Sequence, residues 1–144
     1  IIAHRKGHLQ VVACAGSGKT ETVAKRIATL LAEEVDIGAR LYQESCSGCH
    51  GATGKGGGEL SQLLKIATPA LTGLAKANDG VFPMLNVIHI IDGRSGVRAH
   101  GGPMPIFGSL YSASSVTAGT DYGSVVEVRG RILSLAMYLE SIQE

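Results

Sequence analysis

The pentapeptide Cys46-Ser47-Gly48-Cys49-His50 constrains this chain more than any other stretch of its sequence. Two thiols three positions apart can each add to one vinyl group of the same porphyrin, and the histidine that follows directly then becomes the proximal ligand of the iron. A Cys-x-x-Cys pair by itself also fits half of a zinc site or a redox dithiol. Zinc would need a second Cys/His pair, and the remaining cysteine, Cys14, lies far upstream. The adjacent His50 therefore favours one covalently bound haem c.

The composition argues against several other classes of protein. Hydrophobic residues make up 44% of the chain, charged residues 17%, and the formal net charge is +1, which fits a globular domain without a polyanionic partner. Aromatic residues are few and no basic stripe is present, so nucleic-acid binding has no support. The apolar runs are too short and interrupted to cross a bilayer. No signal peptide is visible at the start. Because haem attachment to such a motif normally happens outside the cytoplasm, we nevertheless expect a periplasmic or otherwise extracytoplasmic protein.

A second motif lies near the start of the chain. Residues 9–14 predict a short buried strand that runs into the relaxed phosphate-loop pattern of residues 13–20, ACAGSGKT. In such a loop the backbone N–H groups cradle phosphates, Lys19 reaches the β- and γ-phosphates, and the Thr20 hydroxyl holds magnesium. Residues 20–35 then have helical periodicity. The apolar positions on one face of this helix are Val23, Ile27, Leu30 and Leu31.

This segment resembles the phosphate-loop start of a UvrD/Rep-type superfamily 1 helicase, in which the run AGSGKT at residues 15–20 is typical. The resemblance covers residues 1–35. A working ATPase also needs a second acidic strand, and the only candidate, residues 87–92, lacks a following glutamate. One strand and one helix cannot bury enough surface to fold alone. We therefore interpret residues 1–35 as a helicase-like fragment that is not an independent domain, with a nucleotide-binding, helicase-derived module as an alternative function.

The helical periodicity restarts at Asp36, a plausible N-cap for a helix that ends at the haem motif. Gly38, Tyr42 and Cys46 are spaced four residues apart and share one stripe of this helix. A glycine there permits another helix to cross closely, with the aromatic ring beside the crossing. An ordinary amphipathic helix would also fit this spacing.

The candidate crossing partner is a long helix over residues 124–142. Its predicted apolar positions are Val125, Val128, Ile132, Leu135, Leu139 and Ile142. With this helix included, residues 36–144 resemble a class I (mono-haem) c-type cytochrome. In that family a glycine and an aromatic residue of the first helix interlock with a Leu-x-x-aromatic pair of the last helix. Here the matching positions are Gly38, Tyr42, Leu135 and Tyr138.

The resemblance implies an all-α, cytochrome c-like fold of 3–5 helices around the haem, with residues 1–35 as an N-terminal strand-loop-helix appendage. It implies a single-electron carrier and not an enzyme. The expected partners are redox proteins (an oxidase, reductase or dehydrogenase), and the chain could be a subunit of a membrane complex. A haem enzyme or gas-binding cytochrome with a labile distal ligand is a further alternative.

The stretch between the two helices holds the other expected haem contacts. Residues 51–58 are glycine-rich and predict a loop, which could be a flexible connector, backbone wrapped around the haem edge, or both. The run Thr68-Pro69-Ala70-Leu71 is similar to the family's Pro-x-Leu, which implies that the Pro69 carbonyl accepts the Nδ1–H of His50 and that Leu71 packs on the haem. We also expect short helices over residues 71–78 and 82–92, and a surface loop over residues 109–121.

Met104 is the candidate sixth ligand, since a thioether suits the haem iron of electron carriers. It lies in Gly101-Gly102-Pro103-Met104-Pro105-Ile106-Phe107-Gly108, where two prolines restrict the backbone. This run resembles the family's Met-Pro-x-aromatic-Gly ligand loop, which implies His50 and Met104 as the metal ligands. His100 is the alternative distal ligand. Met84 and Met137 are more simply core residues, and His89 a half-buried or surface residue of a helix.

Overall fold

The computed structural model describes residues 2–5, 8–11, 18–94, 104–114 and 121–144. Two strands form an antiparallel hairpin, β1 (Ile2–Arg5) and β2 (His8–Val11), with Ile2 opposite Val11. The helices are α1 (Gly18–Ser45), α2 (Ser47–His50), α3 (Met84–Asp92), α4 (Phe107–Ser114) and α5 (Asp121–Ser141). Short 3₁₀ turns span Glu59–Leu63 and Lys76–Asn78. Everything described outside the hairpin is helix, turn or loop, as the predicted all-α class requires.

Helix α1 is one continuous helix of 28 residues across the predicted junction at residues 35 and 36. The expectation that Asp36 caps a new helix is therefore wrong. Gly38 follows two positions after Asp36, but a glycine inside a helix costs only about 1 kcal/mol, and good helix formers such as Ala32, Glu33, Glu34 and Ala39 lie on both sides. A capping residue ends a helix only where the backbone leaves helical geometry, and here it does not.

The first half of α1 buries little of its predicted apolar face. Val23 is 57% exposed and Leu30 is 43% exposed, whereas Ile27 and Leu31 are partly buried. The periodicity correctly predicted a helix there, but packing against α5 is concentrated in the second half of α1.

That packing is centred on the predicted interlock between α1 and α5. A Cβ atom on Gly38 would meet the backbone carbonyl of Ser134 and would lie 2.8 Å from the Tyr138 Cβ. The Tyr42 and Tyr138 rings are 5.3 Å apart between centroids, at a tilt of 48°. Tyr42 and Leu135 are fully buried. The four positions that the sequence singled out therefore meet at one helix crossing.

Among the described helices, α5 also supplies the largest share of the buried core. Its predicted apolar positions are buried or nearly so from Val128 to Leu139, but Val125 is 36% exposed. Helix α3 packs on α5 through Val87 and Ile91 and ends at Gly93, whose φ of 65° is the left-handed conformation that commonly terminates helices. The prediction of a helix that ends at Gly93 is confirmed.

Helix α4 corrects the predicted surface loop. Residues 109–114 are helical, and residues 115–120 of that prediction lie outside the described part of the chain. Phe107 and Tyr111 are both buried, with ring centroids 5.7 Å apart. Aromatic residues four positions apart share one face of a helix. This spacing indicates a helix, but the small polar residues around it favoured the prediction of a surface loop.

The predicted short helix over residues 71–78 forms only in part. Turns precede the 3₁₀ segment Lys76–Asn78, and Asp79 then adopts a left-handed φ of 52°. At Leu71, Thr72 and Ala75 the backbone bonds to Gly54, Gln143 and Glu144 in place of helix partners, so no regular helix develops over this first part of the segment.

Candidate functional site

The Cys46–His50 motif forms one tight turn of backbone at the end of α1. The Cys46 N–H still donates to Tyr42 O (2.9 Å), and Cys46 O accepts from the His50 N–H (2.9 Å). Cys46 is 9% exposed and His50 is 7% exposed, whereas Cys49 is partly buried. The two thiols and the imidazole are therefore held within one turn beside the α1–α5 crossing.

The burial of Cys46 and the residues around the motif argue against the two other interpretations of a Cys-x-x-Cys pair, a redox dithiol and a zinc site. Burial, with a smaller contribution from Cys49, raises the pKa of the Cys46 thiol to about 12. A redox dithiol needs a thiolate of lowered pKa that is accessible to its substrate. Among the residues that the structure describes, no group of three or more His, Cys, Asp or Glu side chains could hold a metal ion. The buried Cys46 thiol therefore does not fit a reactive redox dithiol, and the described part of the chain offers no four-ligand zinc site.

The His50 ring is oriented by the segment that contains the Pro-x-Leu run. Its Nδ1 lies 3.0 Å from the Pro69 carbonyl oxygen. A carbonyl oxygen only accepts, so this contact assigns the ring proton to Nδ1 and leaves the lone pair on Nε2, the nitrogen that can bind a metal. The structure thus brings together the two residues that the sequence related across 19 positions.

The glycine loop after His50 is folded back onto the motif. The Gly56 N–H donates to His50 O (2.8 Å) and the Gly58 N–H donates to Cys49 O (3.2 Å). A Cβ on Gly58 would lie 2.6 Å from the carbonyl carbon of Gly48. Gly51 has a φ of 77°, in the left-handed region that favours glycine. The loop is therefore a packed, hydrogen-bonded structure, and the flexible-connector interpretation is wrong.

Tyr42 ties this loop to the helix crossing. Its hydroxyl donates to Gly51 O at 2.6 Å. Burial, and to a smaller extent Cys46 and Tyr138, raises the pKa of Tyr42 to about 12, so the phenol is neutral at physiological pH. One side chain therefore connects the α1–α5 interface to the backbone next to His50.

Leu71 and Met104, the remaining predicted site residues, both pack partly buried against the hydrophobic core. The Leu71 N–H donates to Gly54 O at 2.6 Å, which fixes the Pro69 segment against the glycine loop. Met104 lies in a non-helical stretch immediately before α4. Residues 95–103 lie outside the described part of the chain, so the alternative ligand His100 has no described position.

The other methionines and the helical histidine are placed as the sequence suggested. Met84 is the first residue of α3 and packs against the core, Met137 is partly buried on α5, and His89 is exposed on α3.

One residue of the site had no signal in the sequence. The Gln143 Oε1 accepts from the Ala75 N–H (2.9 Å), and its Nε2 donates to Leu71 O (2.8 Å) and Leu139 O (2.6 Å). Its contacts to Ala75 and Leu71 span 68 and 72 positions of the chain. No periodicity or motif relates positions so far apart.

The donor set as a whole fits a covalently bound haem. Cys46 and Cys49 offer two thiols from one backbone turn, and His50 has the tautomer of a metal ligand. A thioether, Met104, is available from a separate loop that packs on the same core. Thiols in this number and order, beside an imidazole, are the groups that attach and ligate haem c.

Comparison with protein families gives two matches. The family model described as cytochrome C oxidase, cbb3-type, subunit III matches residues 33–122, which is more than half of the chain. The model described as UvrD/REP helicase N-terminal domain matches residues 1–40. The two matches overlap over residues 33–40, within α1. No curated protein and no solved structure matches the chain.

Proposed function

Because the chain belongs to the family of cbb3-type cytochrome c oxidase subunit III, a haem-based electron carrier, we propose that it transfers single electrons through one haem c. In this proposal Cys46 and Cys49 would attach the haem as thioethers, and His50 and Met104 would ligate its iron. The contact between His50 Nδ1 and Pro69 O, at 3.0 Å, is the observation that carries it.

This hydrogen bond supports His50 as the proposed proximal ligand of the iron. When bound, the haem supplies an iron that alternates between the ferrous and ferric states. The Pro69 carbonyl holds His50 in one tautomer and one orientation, and it increases the basicity of the ligating nitrogen. The chain's own task at this position is to keep the imidazole fixed while the charge of the iron changes.

The proposal for the distal ligand rests on Met104. A thioether ligand raises the potential relative to a second histidine and suits an electron carrier. In the sequence Met104 lies between two prolines, and in the structure it packs against the core just ahead of α4. In this assignment Leu71, which is partly buried against the core, would pack on the haem, and no residue would act as a general acid, base or nucleophile. The chain itself is then a carrier rather than an enzyme.

The family name places its members in an oxidase complex, so we propose redox partners of that kind for this chain, at an extracytoplasmic location. Among the described residues no helix is long and apolar enough to cross a membrane. We assign residues 36–144 to the cytochrome domain and residues 1–35 to the helicase-like appendage, although α1 crosses this junction without a break.

Absorption spectra of the protein matured with a c-type haem system test the proposal. We expect covalent haem, a sharp ferrous α band, and the weak red sulfur-to-iron band in the ferric form. Met104→Ala should abolish the red band, whereas the control Met84→Ala, on α3, should keep it. A red band that survives in Met104→Ala would refute this ligand. A strong ferrous carbon monoxide spectrum at neutral pH would favour the gas-binding alternative.

Nucleotide binding is a second candidate function because the helicase model matches residues 1–40. Thr20 lies in the first turn of α1, as a phosphate-loop threonine does, while residues 12–17 lie outside the described part of the chain. Thermal stabilisation by magnesium ATP that is lost in Lys19→Ala would support this candidate. Equal melting temperatures with and without ATP would exclude it.

A further inference from the structure

The hydrogen bond from His50 to Pro69 can only be as well defined as the segment that carries Pro69. The described segment from Pro69 to Ala75 contains no regular helix or strand. Its position is set instead by hydrogen bonds from two sides. On one side the Leu71 N–H donates to Gly54 O (2.6 Å), in the glycine loop.

On the other side the segment is held by the residues that follow α5. The Gln143 carboxamide bonds to both Leu71 O (2.8 Å) and the Ala75 N–H (2.9 Å). A third bond, to Leu139 O (2.6 Å), fixes the same side chain to the last turn of α5. The Glu144 N–H adds a backbone bond to Thr72 O (2.9 Å). Gln143 is thus a partly buried bridge between the last turn of α5 and the segment that orients His50.

We propose that Gln143 is a positioning residue for the proximal ligand: it clamps the Pro69–Ala75 segment to α5 and thereby holds the Pro69 carbonyl against His50 Nδ1. This inference rests on the proposed haem function. It adds that a residue just after α5 helps to set the redox potential through a side chain that does not touch the proposed iron ligands.

The direction of the effect follows from the chemistry of the ligand. A carbonyl that accepts the Nδ1 proton makes the imidazole a stronger donor, which stabilises the ferric state. Loosening the Pro69 segment weakens that bond, so the reduction potential rises. A merely structural defect that admits water to the haem favours the more highly charged ferric state and lowers the potential. The sign of the shift therefore separates the two explanations.

The test compares Gln143→Leu and Gln143→Met with the control Gln43→Leu in the haem-loaded protein. Leucine and methionine both remove all three hydrogen bonds at similar volume, and neither adds a charge that would itself shift the potential. Gln43 also donates its amide to a backbone carbonyl, Ala52 O (3.1 Å), but it is exposed on α1 and does not touch the Pro69 segment.

The readouts are the reduction potential and, by NMR of the ferrous protein, the rate at which the His50 Nδ1 proton exchanges with solvent. We expect both Gln143 variants to raise the potential and to exchange this proton about tenfold faster, with no change in Gln43→Leu. If Gln143→Leu does not mature, Gln143→Met alone decides the result.

An unchanged or lowered potential in the Gln143 variants would refute the proposed positioning role of Gln143. A raised potential without faster exchange of the His50 Nδ1 proton would refute it as well. In those cases a wild-type protein with covalent haem and a reversible couple would leave the proposed function intact. A wild-type protein without covalent haem would overturn both proposals.

Discussion

Replacing Gly38 by alanine probes the helix crossing that holds the haem motif in place. The added methyl group would meet the Ser134 carbonyl on α5 and would lie 2.8 Å from the Tyr138 Cβ, against about 3.5 Å for a comfortable carbon–carbon contact. Neither the backbone carbonyl nor a Cβ atom can rotate away. The two helices would therefore have to separate along their contact.

Two opposing effects set the magnitude. Alanine is favoured over glycine in a helix interior by about 1 kcal/mol. Overpacking of a well-packed contact costs about 1–3 kcal/mol, and we take about 3 kcal/mol because the obstructing atoms belong to backbone. We therefore expect Gly38→Ala to lower the free energy of unfolding by about 2 kcal/mol. For a slope of about 2 kcal/mol per molar urea, the midpoint falls by about 1 M.

The control is Gly130→Ala, on α5, where an added Cβ meets nothing within 4 Å. Only the helix propensity changes there, so this variant should gain about 1 kcal/mol. Urea unfolding of the haem-loaded proteins, followed by far-ultraviolet circular dichroism, measures both. If Gly38→Ala proved as stable as wild type, or gained stability as Gly130→Ala should, the close crossing would be refuted.

Two further predictions concern the backbone next to His50. Gly51 has a left-handed φ of 77°, and a Cβ there would clash with the backbone of the glycine loop, whereas Gly57 has a similar φ of 72° with nothing within 4 Å of an added Cβ. We therefore expect Gly51→Ala, but not Gly57→Ala, to lose most of its haem-loaded protein, measured by haem stain per polypeptide. Equal yields of the two variants would contradict this prediction. The pKa of Tyr42, raised to about 12 mainly by burial, means that the unfolded chain ionises this phenol first, near pH 10. The stability that the neutral phenol contributes is therefore complete below pH 10 and is lost as the pH rises towards 12. The urea midpoint should fall less steeply over this range in Tyr42→Phe than in wild type, and parallel curves would contradict the assignment.

The haem motif, the last helix and the interlock were accessible from the sequence because each depends on short spacings. Cys46 and His50 lie within one turn, and the apolar positions of α5 repeat at the helical period. Family membership agrees with the predicted cytochrome c-like fold. The ligand roles of His50 and Met104 and the domain boundary at residue 35 remain predictions, to be tested by spectra and by truncation.

The errors came from places where local signals competed. Asp36 has the side chain of an N-cap, but the backbone continues as helix through it. Small polar residues around Tyr111 suggested a loop, while the buried pair of Phe107 and Tyr111 stabilises a helix. In both cases tertiary packing or the neighbouring helix formers outweighed the preference of individual residues.

The sequence by itself determined which chemical groups the chain carries and the helices that repeat along it, because covalent order and periodicity act over a few residues. Only the tertiary structure decided that Pro69 O meets His50 Nδ1 at 3.0 Å, although a family resemblance suggested it. It alone decided that Gln143 bridges α5 to Leu71, 72 positions earlier. Contacts of that kind depend on how helices pack, since their partners share no spacing along the chain.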